Sequence, residues 1–224
     1  MALFSPVLCD RVAAQEVKLY PVDEAARDAS FKRFRERLIL ALKRRDRKFL
    51  LGIVHPEIQN NIVDGHNGIE GFIAKWKLNS PDSKVWTELL TTLSLGGSFE
   101  KENGQKLFVA PYVTSRWGSL ENKLPRDADA FTHSAIIAAR VPVYSKPDAA
   151  GRAVAFLSYD VVEVDNDRSV WKCDHEELRW AKIKTLKGQE GYVLGNRIRA
   201  AVDYRAYFKK VRGKWMMNAF LAGD

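Results

Sequence analysis

The chain has few of the residues that would point to a particular chemistry. Its 224 residues include only two cysteines, Cys9 and Cys173, which lie far apart in the sequence. Zinc sites usually take their cysteines in closely spaced pairs, so no metal site is expected from these two. Two interpretations of the thiols stay open: a disulfide that joins them, or two unpaired side chains.

Long apolar segments are also absent from the sequence. No stretch approaches the ~20 apolar residues that a transmembrane helix needs, so no membrane span is expected. The start, MALFSPVLCDRVAA, has a short apolar stretch with no basic segment before it, and this is not a complete signal peptide.

The short fingerprints of nucleotide and hydrolase chemistry are missing as well. The sequence has no P-loop, no dinucleotide-binding glycine pattern and no nucleophile elbow. No two histidines stand four residues apart, the spacing of a metal site on a helix. The sequence therefore predicts neither a cofactor nor a metal.

Charge is the first feature that is present in excess. The net charge is +8, and residues 32–48 alone hold nine lysines and arginines against Glu36 and Asp46. This run indicates either a patch for an anionic partner, such as nucleic acid, anionic lipid or wall polymer, or the solvated face of a helix. Aromatic residues are not interleaved with the basic ones as a single-strand stacking platform requires, so nucleic acid is not the expected partner.

The first half of the chain has the periodicity of helices. Phe31, Phe34, Leu38 and Leu42 recur at helical spacing, with Asp28 or Ser30 as the candidate cap. Three further segments have similar signals, and they lie around residues 46–53, 67–76 and 86–93.

The second half reads as short strands separated by turns. Residues 98–117 predict two strands around Asn103-Gly104, a strong hairpin signal. From His133 onward short β-patterned segments alternate with turn residues. The chain ends in a second hairpin that turns at Arg212-Gly213.

The strands from residue 135 to 199 resemble a bacterial SH3-like domain. Its ordered apolar, proline, tryptophan and glycine positions are matched by Val141 or Val143, Pro147, Val154, Leu157, Val162, Val164, Trp180-Ala181-Lys182-Ile183, Gly188, Gly191, Tyr192 and Val193. Two departures fall in loops that flank the ligand groove of many members. Tyr144-Ser145-Lys146-Pro147 replaces the usual first loop, and NDRSVWKCDHEEL lengthens the loop before Trp180, which puts the ligand of the family in doubt for this chain.

The resemblance implies a small barrel with aromatic side chains near one groove. By strand position the candidates for this groove are Tyr144, Tyr159, Trp180 and Tyr192. Aromatic faces bind extended peptides or sugars by stacking and apolar burial, so a peptide or a cell-wall fragment is the expected ligand. The alternative is that Trp180 and Tyr192 serve only the packing of the barrel.

Residues 28–117 resemble the opening of a nuclear transport factor 2-like cone. A helix, a short helix after RRD, the segment HPEI, a strand and G-x-x-G-F-x-x-x-W follow in that order, and the ending GKWMMNAFLAGD resembles the last strands of that family. This likeness implies an α+β fold with N-terminal helices on a curved antiparallel sheet, beside a small all-β SH3-like barrel. We expect a discontinuous domain of residues 28–130 with 202–224, into which the SH3-like domain of residues 133–200 is inserted. The alternative is two sequential units with the last hairpin appended to the barrel.

The whole arrangement also resembles a group of bacterial proteins that carry an SH3-like domain and end in DYRAxFxKxxGxWxMxxFxAGD. Residues 203–224 match that ending along its length. Members of the group are typically exported, so the resemblance implies an extracytoplasmic location, periplasmic or secreted. It implies no particular activity.

One set of polar residues can be read as catalytic. His55, Asp64 and His66 fall within HPEIQNNIVDGH, and a histidine with an aspartate can act as a general base with its orienting acid. The same residues also fit a helix stop at His55-Pro56 and a turn at Asp64-Gly65 before a helix cap. We therefore expect a non-catalytic binding or scaffold protein, and a small-ligand carrier or hydrolase-type enzyme in the α+β domain is the alternative.

Overall fold

The computed structural model describes residues 16–61, 66–171 and 178–223. Cys9, Asp64 and Cys173 therefore lie outside the described residues. Within them the fold is α+β, as predicted, and it includes a sheet curled into a half-barrel. The helices are α1 Ala29–Lys43, α2 Arg47–Ile53, α3 Gly68–Lys75, α4 Val85–Ser94 and α5 Tyr112–Trp117.

The strands of the described residues form two sheets. Their bounds are β1 Val54–Gln59, β2 Ser98–Glu102, β3 Gln105–Ala110, β4 His133–Ile136, β5 Val141–Tyr144, β6 Ala153–Leu157, β7 Val161–Trp171, β8 Leu178–Thr185, β9 Glu190–Leu194, β10 Ile198–Ala200, β11 Arg205–Val211 and β12 Lys214–Leu221. The first sheet has the order β1-β12-β11-β3-β2, and the second has the order β10-β4-β7-β8-β9-β5-β6.

The last hairpin lies in the middle of the first sheet. β11 pairs with β3, with Phe208 opposite Phe108, and β12 pairs in parallel with β1. The resemblance to the cone family implies a curved antiparallel sheet, and the parallel pairing of β1 departs from that. About two thirds of the chain, residues 60–213, separates β1 from β12, so no tight turn forces the two strands to run in opposite directions.

Both hairpins of the first sheet turn on two residues in the left-handed region. The φ values are 49° and 78° at Asn103 and Gly104, and 48° and 80° at Arg212 and Gly213. Positive φ at both central residues gives the turn twist that suits a two-residue hairpin. The predicted turns are therefore confirmed at both places, although the second predicted strand ends at Ala110 and α5 follows it.

An aromatic core holds the helices to the first sheet. Phe31 of α1 is fully buried, and its ring centroid lies 4.1 Å from that of Phe108 and 4.9 Å from that of Trp215. The rings come from α1, β3 and β12, which are distant in sequence. Because aromatic side chains bury large areas, this cluster is a strong apolar contact between α1 and the final hairpin.

The described residues before α1, 16–28, which we call the lead-in segment, contact both sheets. Val17 and Leu19 are buried, and the backbone N–H groups of Val161 and Leu19 close hydrogen bonds of 2.8 Å between this segment and the second sheet. Further along, the N–H of Gly97 donates to the carbonyl of Val22 at 2.9 Å, beside the first sheet. A shared apolar cluster of this segment, α5 and the second sheet completes the junction.

We predict that Asp28 sets the stability of α1. Its Oδ1 accepts from the backbone N–H groups of Ser30 and Phe31 at 2.9 and 3.1 Å, and also from the Ser30 hydroxyl at 2.6 Å. Asp28→Ala should therefore lower the free energy of unfolding by about 1–2 kcal/mol in urea titrations. Asp28→Asn keeps an acceptor oxygen and should lose less.

The pH dependence separates the charge of this cap from its geometry. The Ser30 hydrogen bond, the Phe31 N–H and the ammonium groups of Lys106 and Lys210 hold the pKa of Asp28 well below its usual range, against the effect of burial. Its charge therefore stabilises the fold above pH ~4, and this contribution is lost as the pH falls toward the depressed pKa. The stability difference between the wild type and Asp28→Asn should shrink on acidification, and a constant difference would contradict the assignment.

Candidate functional site

A cleft opens between the first two helices and the final hairpin. Its volume is about 1010 Å³. We call it the hairpin cleft, and its lining residues are Ser30, Arg33, Phe34, Arg37, Phe49, Gly52, Ile53, His55, Pro56 and residues 211–216. Pockets of roughly 300–1,000 Å³ hold drug-sized ligands, so the cleft is large enough for a small organic molecule.

Helical spacing explains why these side chains share one wall. Ser30, Arg33, Phe34 and Arg37 stand at i, i+3, i+4 and i+7 of α1, which places them on one face. That face carries aromatic and cationic side chains side by side.

The base of the cleft is fixed by hydrogen bonds. Trp215 is only 6 % exposed, and its indole Nε1 donates to the Ser30 hydroxyl at 3.0 Å. Ser30 in turn donates to Asp28, which caps α1. The cap, the helix and the tryptophan ring are thereby held together, so the apolar base is formed before any ligand enters.

The rim of the cleft carries only positive charge. Arg33, Arg37, Arg212 and Lys214 are all exposed, and none of the lining residues is acidic. In the described part of the chain no carboxylate pairs with any of the four. The Arg37 guanidinium lies 5.4 Å from the centroid of the Phe49 ring.

Of the alternative pocket residues from the sequence, His55 lines this cleft, and His66 is not among its lining residues. Its Nδ1 accepts from the backbone N–H of Glu57 at 3.1 Å, so the neutral ring carries its proton on Nε2. His66 is exposed and its carbonyl accepts from Asn60, and Asp64 lies outside the described residues. A general-base role for this set therefore stays a prediction.

Asn60, which the sequence interpretation missed, organises the start of α3. It is fully buried, and its Nδ2 donates to the carbonyls of His66 and Gly68 at 2.9 and 3.0 Å. Its own carbonyl accepts from Lys75, whose pKa is lowered by burial. Asn67 is the N-cap residue of α3, but its side chain makes no cap hydrogen bond and accepts instead from the backbone N–H of Asn60 at 2.9 Å.

Three of the four predicted groove aromatics come together on the second sheet. Tyr144 and Tyr192 are opposite each other on β5 and β9, and the Tyr144 ring meets Trp180 edge-on at 5.7 Å. Their sequence neighbours Val143, Ala181 and Val193 belong to the core on the opposite face. We call the three rings the outer-face cluster.

The outer-face cluster is already packed. Trp180 is only 5 % exposed, and Tyr144 and Tyr192 are half-buried. The Lys182 ammonium lies 5.2 Å from the Tyr192 ring centroid and donates to Glu190 at 2.6 Å, which lowers the pKa of the Glu190 carboxyl. The charge beside these rings is therefore neutralised within the chain.

Tyr159, the fourth candidate, has different neighbours. It lies between β6 and β7 with a φ of 62°, and its ring meets Tyr20 of the lead-in segment at 5.6 Å. Its carbonyl accepts from Leu19. Tyr159 therefore holds the lead-in segment against the second sheet. Among the described residues, none of these contacts joins Tyr159 to the outer-face cluster.

Neither a metal centre nor a spanning helix is found in the described ranges. No three histidine, cysteine, aspartate or glutamate side chains are grouped there as a metal site would need. Over the same residues, every helix is too short or too polar to cross a bilayer. Comparison of the chain with protein-family models, with curated proteins and with solved structures found no match.

We predict that Trp180 is needed for the packing of the second sheet. Trp180→Ala should lower the free energy of unfolding by about 3–5 kcal/mol, because it removes a large buried ring. Tyr192→Ala should cost about 1 kcal/mol, mainly the contact with Lys182. Urea unfolding of the two variants beside Trp180→Phe measures this, and equal losses for the two alanine variants would show that Trp180 is not packed as described.

Proposed function

We propose that this chain is a non-catalytic binding protein that holds a small organic ligand in the hairpin cleft. The observation that carries the proposal is the combination of about 1010 Å³ of space with an apolar base that is fixed in advance. A preformed apolar cleft binds without first ordering its own side chains, which keeps the entropic cost of binding low.

The chemistry of the lining supports binding rather than catalysis. Covalent or acid–base catalysis needs a nucleophile or a proton-transfer group that a second residue orients. Among the lining residues the Ser30 hydroxyl is engaged by Asp28 and Trp215, and one nitrogen of His55 is engaged by the backbone. Neither is set up as the nucleophile or base of a pair.

Gly52 offers a way to fill the cleft without disturbing the fold. It lines the cleft from α2, and a Cβ added at this position would meet no atom within 4 Å. Gly52→Phe should therefore abolish binding of a neutral apolar fluorophore, N-phenyl-1-naphthylamine, that the wild type binds in a 1:1 complex. Fluorescence titration measures the affinity and the stoichiometry of the fluorophore for the wild type and for the variant.

Gly52→Ala is the matched control for this test. It adds one methyl group, favours the helix by up to about 1 kcal/mol and should keep the affinity within roughly twofold. Both variants should melt at or above the wild-type temperature. Undiminished binding by a folded Gly52→Phe would place the fluorophore elsewhere, and no binding by the wild type would remove the proposal.

A second candidate function rests on the outer-face cluster. Its three rings share one face of a sheet whose sequence resembles a bacterial SH3-like domain, and this supports recognition of a peptide or a cell-wall fragment. Such a ligand fits an extracytoplasmic protein. The packing of Trp180 limits the available surface to the half-buried Tyr144 and Tyr192. We therefore rank the outer-face cluster below the hairpin cleft as a candidate binding site.

Pull-down on purified peptidoglycan tests the second candidate. If the outer-face cluster binds the wall, wild type should sediment with the polymer, and Tyr144→Ala/Tyr192→Ala should lose at least about tenfold in affinity, since each stacked ring contributes about 1 kcal/mol or more. Gly52→Phe, which alters only the cleft, should sediment like wild type. Sedimentation that both variants retain would exclude the outer-face cluster as the wall-binding site.

A further inference from the structure

We propose that the ligand of the hairpin cleft is an organic anion with an apolar tail. A carboxylate or phosphate head would lie among the cations of the rim, and the tail would lie against the aromatic base. The inference rests on the proposed function, and it adds the chemical class of the ligand.

The rim is the first argument, because its charges are not balanced. Elsewhere the structure pairs partly buried cations with acids: Arg35 with Asp23 at 2.6 Å, Arg199 with Glu88 at 2.9 Å and Lys182 with Glu190 at 2.6 Å. The rim carries Arg33, Arg37, Arg212 and Lys214, and no acid lines it in the part of the chain that the structure describes. Four like charges around one opening repel each other, and a bound anion would relieve that repulsion.

The rim charges come from two distant segments of the chain. Two of the charges belong to the basic run of residues 32–48, and two come from the final hairpin, one from its turn and one from the start of β12. Segments from opposite ends of the chain therefore deliver the same sign of charge to one opening. Within the basic run, Arg35, Arg45 and Arg47 have partners inside the chain, whereas Arg33 has none among the described residues.

The lining also alternates between cationic and apolar side chains. Arg33 stands next to Phe34 on α1, Lys214 stands next to Trp215 on β12, and Arg37 lies over Phe49. An arginine fork can donate two parallel hydrogen bonds to a carboxylate or to a phosphate, so either head group fits. An inorganic anion would leave the aromatic base unused, and a neutral ligand would leave the four cations unused.

The experiment compares ligands that share a tail and differ in the head. Decanoate, decyl phosphate, decanol and decyltrimethylammonium, each below its micelle-forming concentration, compete with N-phenyl-1-naphthylamine for the wild-type protein. Inorganic phosphate is the head without a tail. We expect decanoate or decyl phosphate to bind at least roughly tenfold more tightly than decanol, the cation to bind more weakly than decanol, and inorganic phosphate not to compete.

Matched charge variants show whether the rim provides this preference. Arg33→Gln/Lys214→Gln removes two rim cations, and Lys32→Gln/Lys43→Gln removes the same charge from exposed positions of α1 that do not line the cleft. The rim variant should lose the roughly tenfold preference for the anion and keep its affinity for decanol, whereas the control variant should keep both. The preference should also weaken with added salt, because the rim is exposed.

The outcomes separate the ligand class from the binding function. If decanol and decanoate bind equally well, the cleft is a binding site, but the proposal that its ligand is an anion is wrong. If inorganic phosphate competes as well as decyl phosphate, the site recognises the head group alone, and the proposal that the ligand has an apolar tail is wrong. If the fluorophore itself does not bind the wild type, the proposed function and this inference fail together. A preference that both charge variants retain would overturn the assignment to the rim.

Discussion

The pairing of the final hairpin in the middle of the first sheet is the constraint on which the rest of the structure depends. β11 and β12 separate β1 from β3, so β1 joins the first sheet only through the strands at the end of the chain. Trp215 then joins the aromatic core through Phe31 and fixes Ser30 by a hydrogen bond. The same ring forms the base of the hairpin cleft. Fold stability and the shape of the candidate site therefore share one side chain, and removing Trp215 would disturb both at once.

The second constraint is the lead-in segment, which holds the two sheets together. Lys18 pairs with Asp160 at 2.8 Å, and the backbone beside Lys18 is hydrogen-bonded to the second sheet. Further along the same segment, the carbonyl of Val22 accepts from the N–H of Gly97, which lies beside the first sheet. On the other side of the junction Arg199 of β10 pairs with Glu88 of α4. The expected division into residues 28–130 with 202–224 and residues 133–200 stays a prediction, and these contacts define the surface along which such units would meet. The hairpin cleft has no residue in that junction, so binding there does not depend on how the two sheets are divided into domains.

Local features of the fold could be predicted from the sequence, and non-local ones could not. Helical spacing and the Asp28 cap of α1, together with the Asn103-Gly104 and Arg212-Gly213 turns, are encoded within a few residues of each other. The return of the hairpin to β3 was expected from the resemblance of its ending to that of a known cone family. The parallel pairing of β1 and the crossing of the lead-in segment depend on contacts between distant residues, which no short pattern records. The cleft was missed for the same reason: Arg33 and Lys214 are 181 positions apart in the sequence (214 − 33) and meet only in three dimensions.

The two candidate sites differ in what the fold does with their charges. At the outer-face cluster the cation beside the rings, Lys182, has an acid within hydrogen-bond distance, so the chain itself satisfies the local electrostatics. At the hairpin cleft four cations line the opening beside an apolar base, and among the described residues no acid lines the cleft or pairs with them. With eight more basic than acidic residues, the chain must leave some cations unpaired, and repulsion is least when these are spread over the surface. Four unpaired cations at one concave opening destabilise the fold more than the same cations would if they were dispersed over the surface. A bound ligand of opposite charge would recover that stability, and this is the physical reason for proposing the cleft as the functional site.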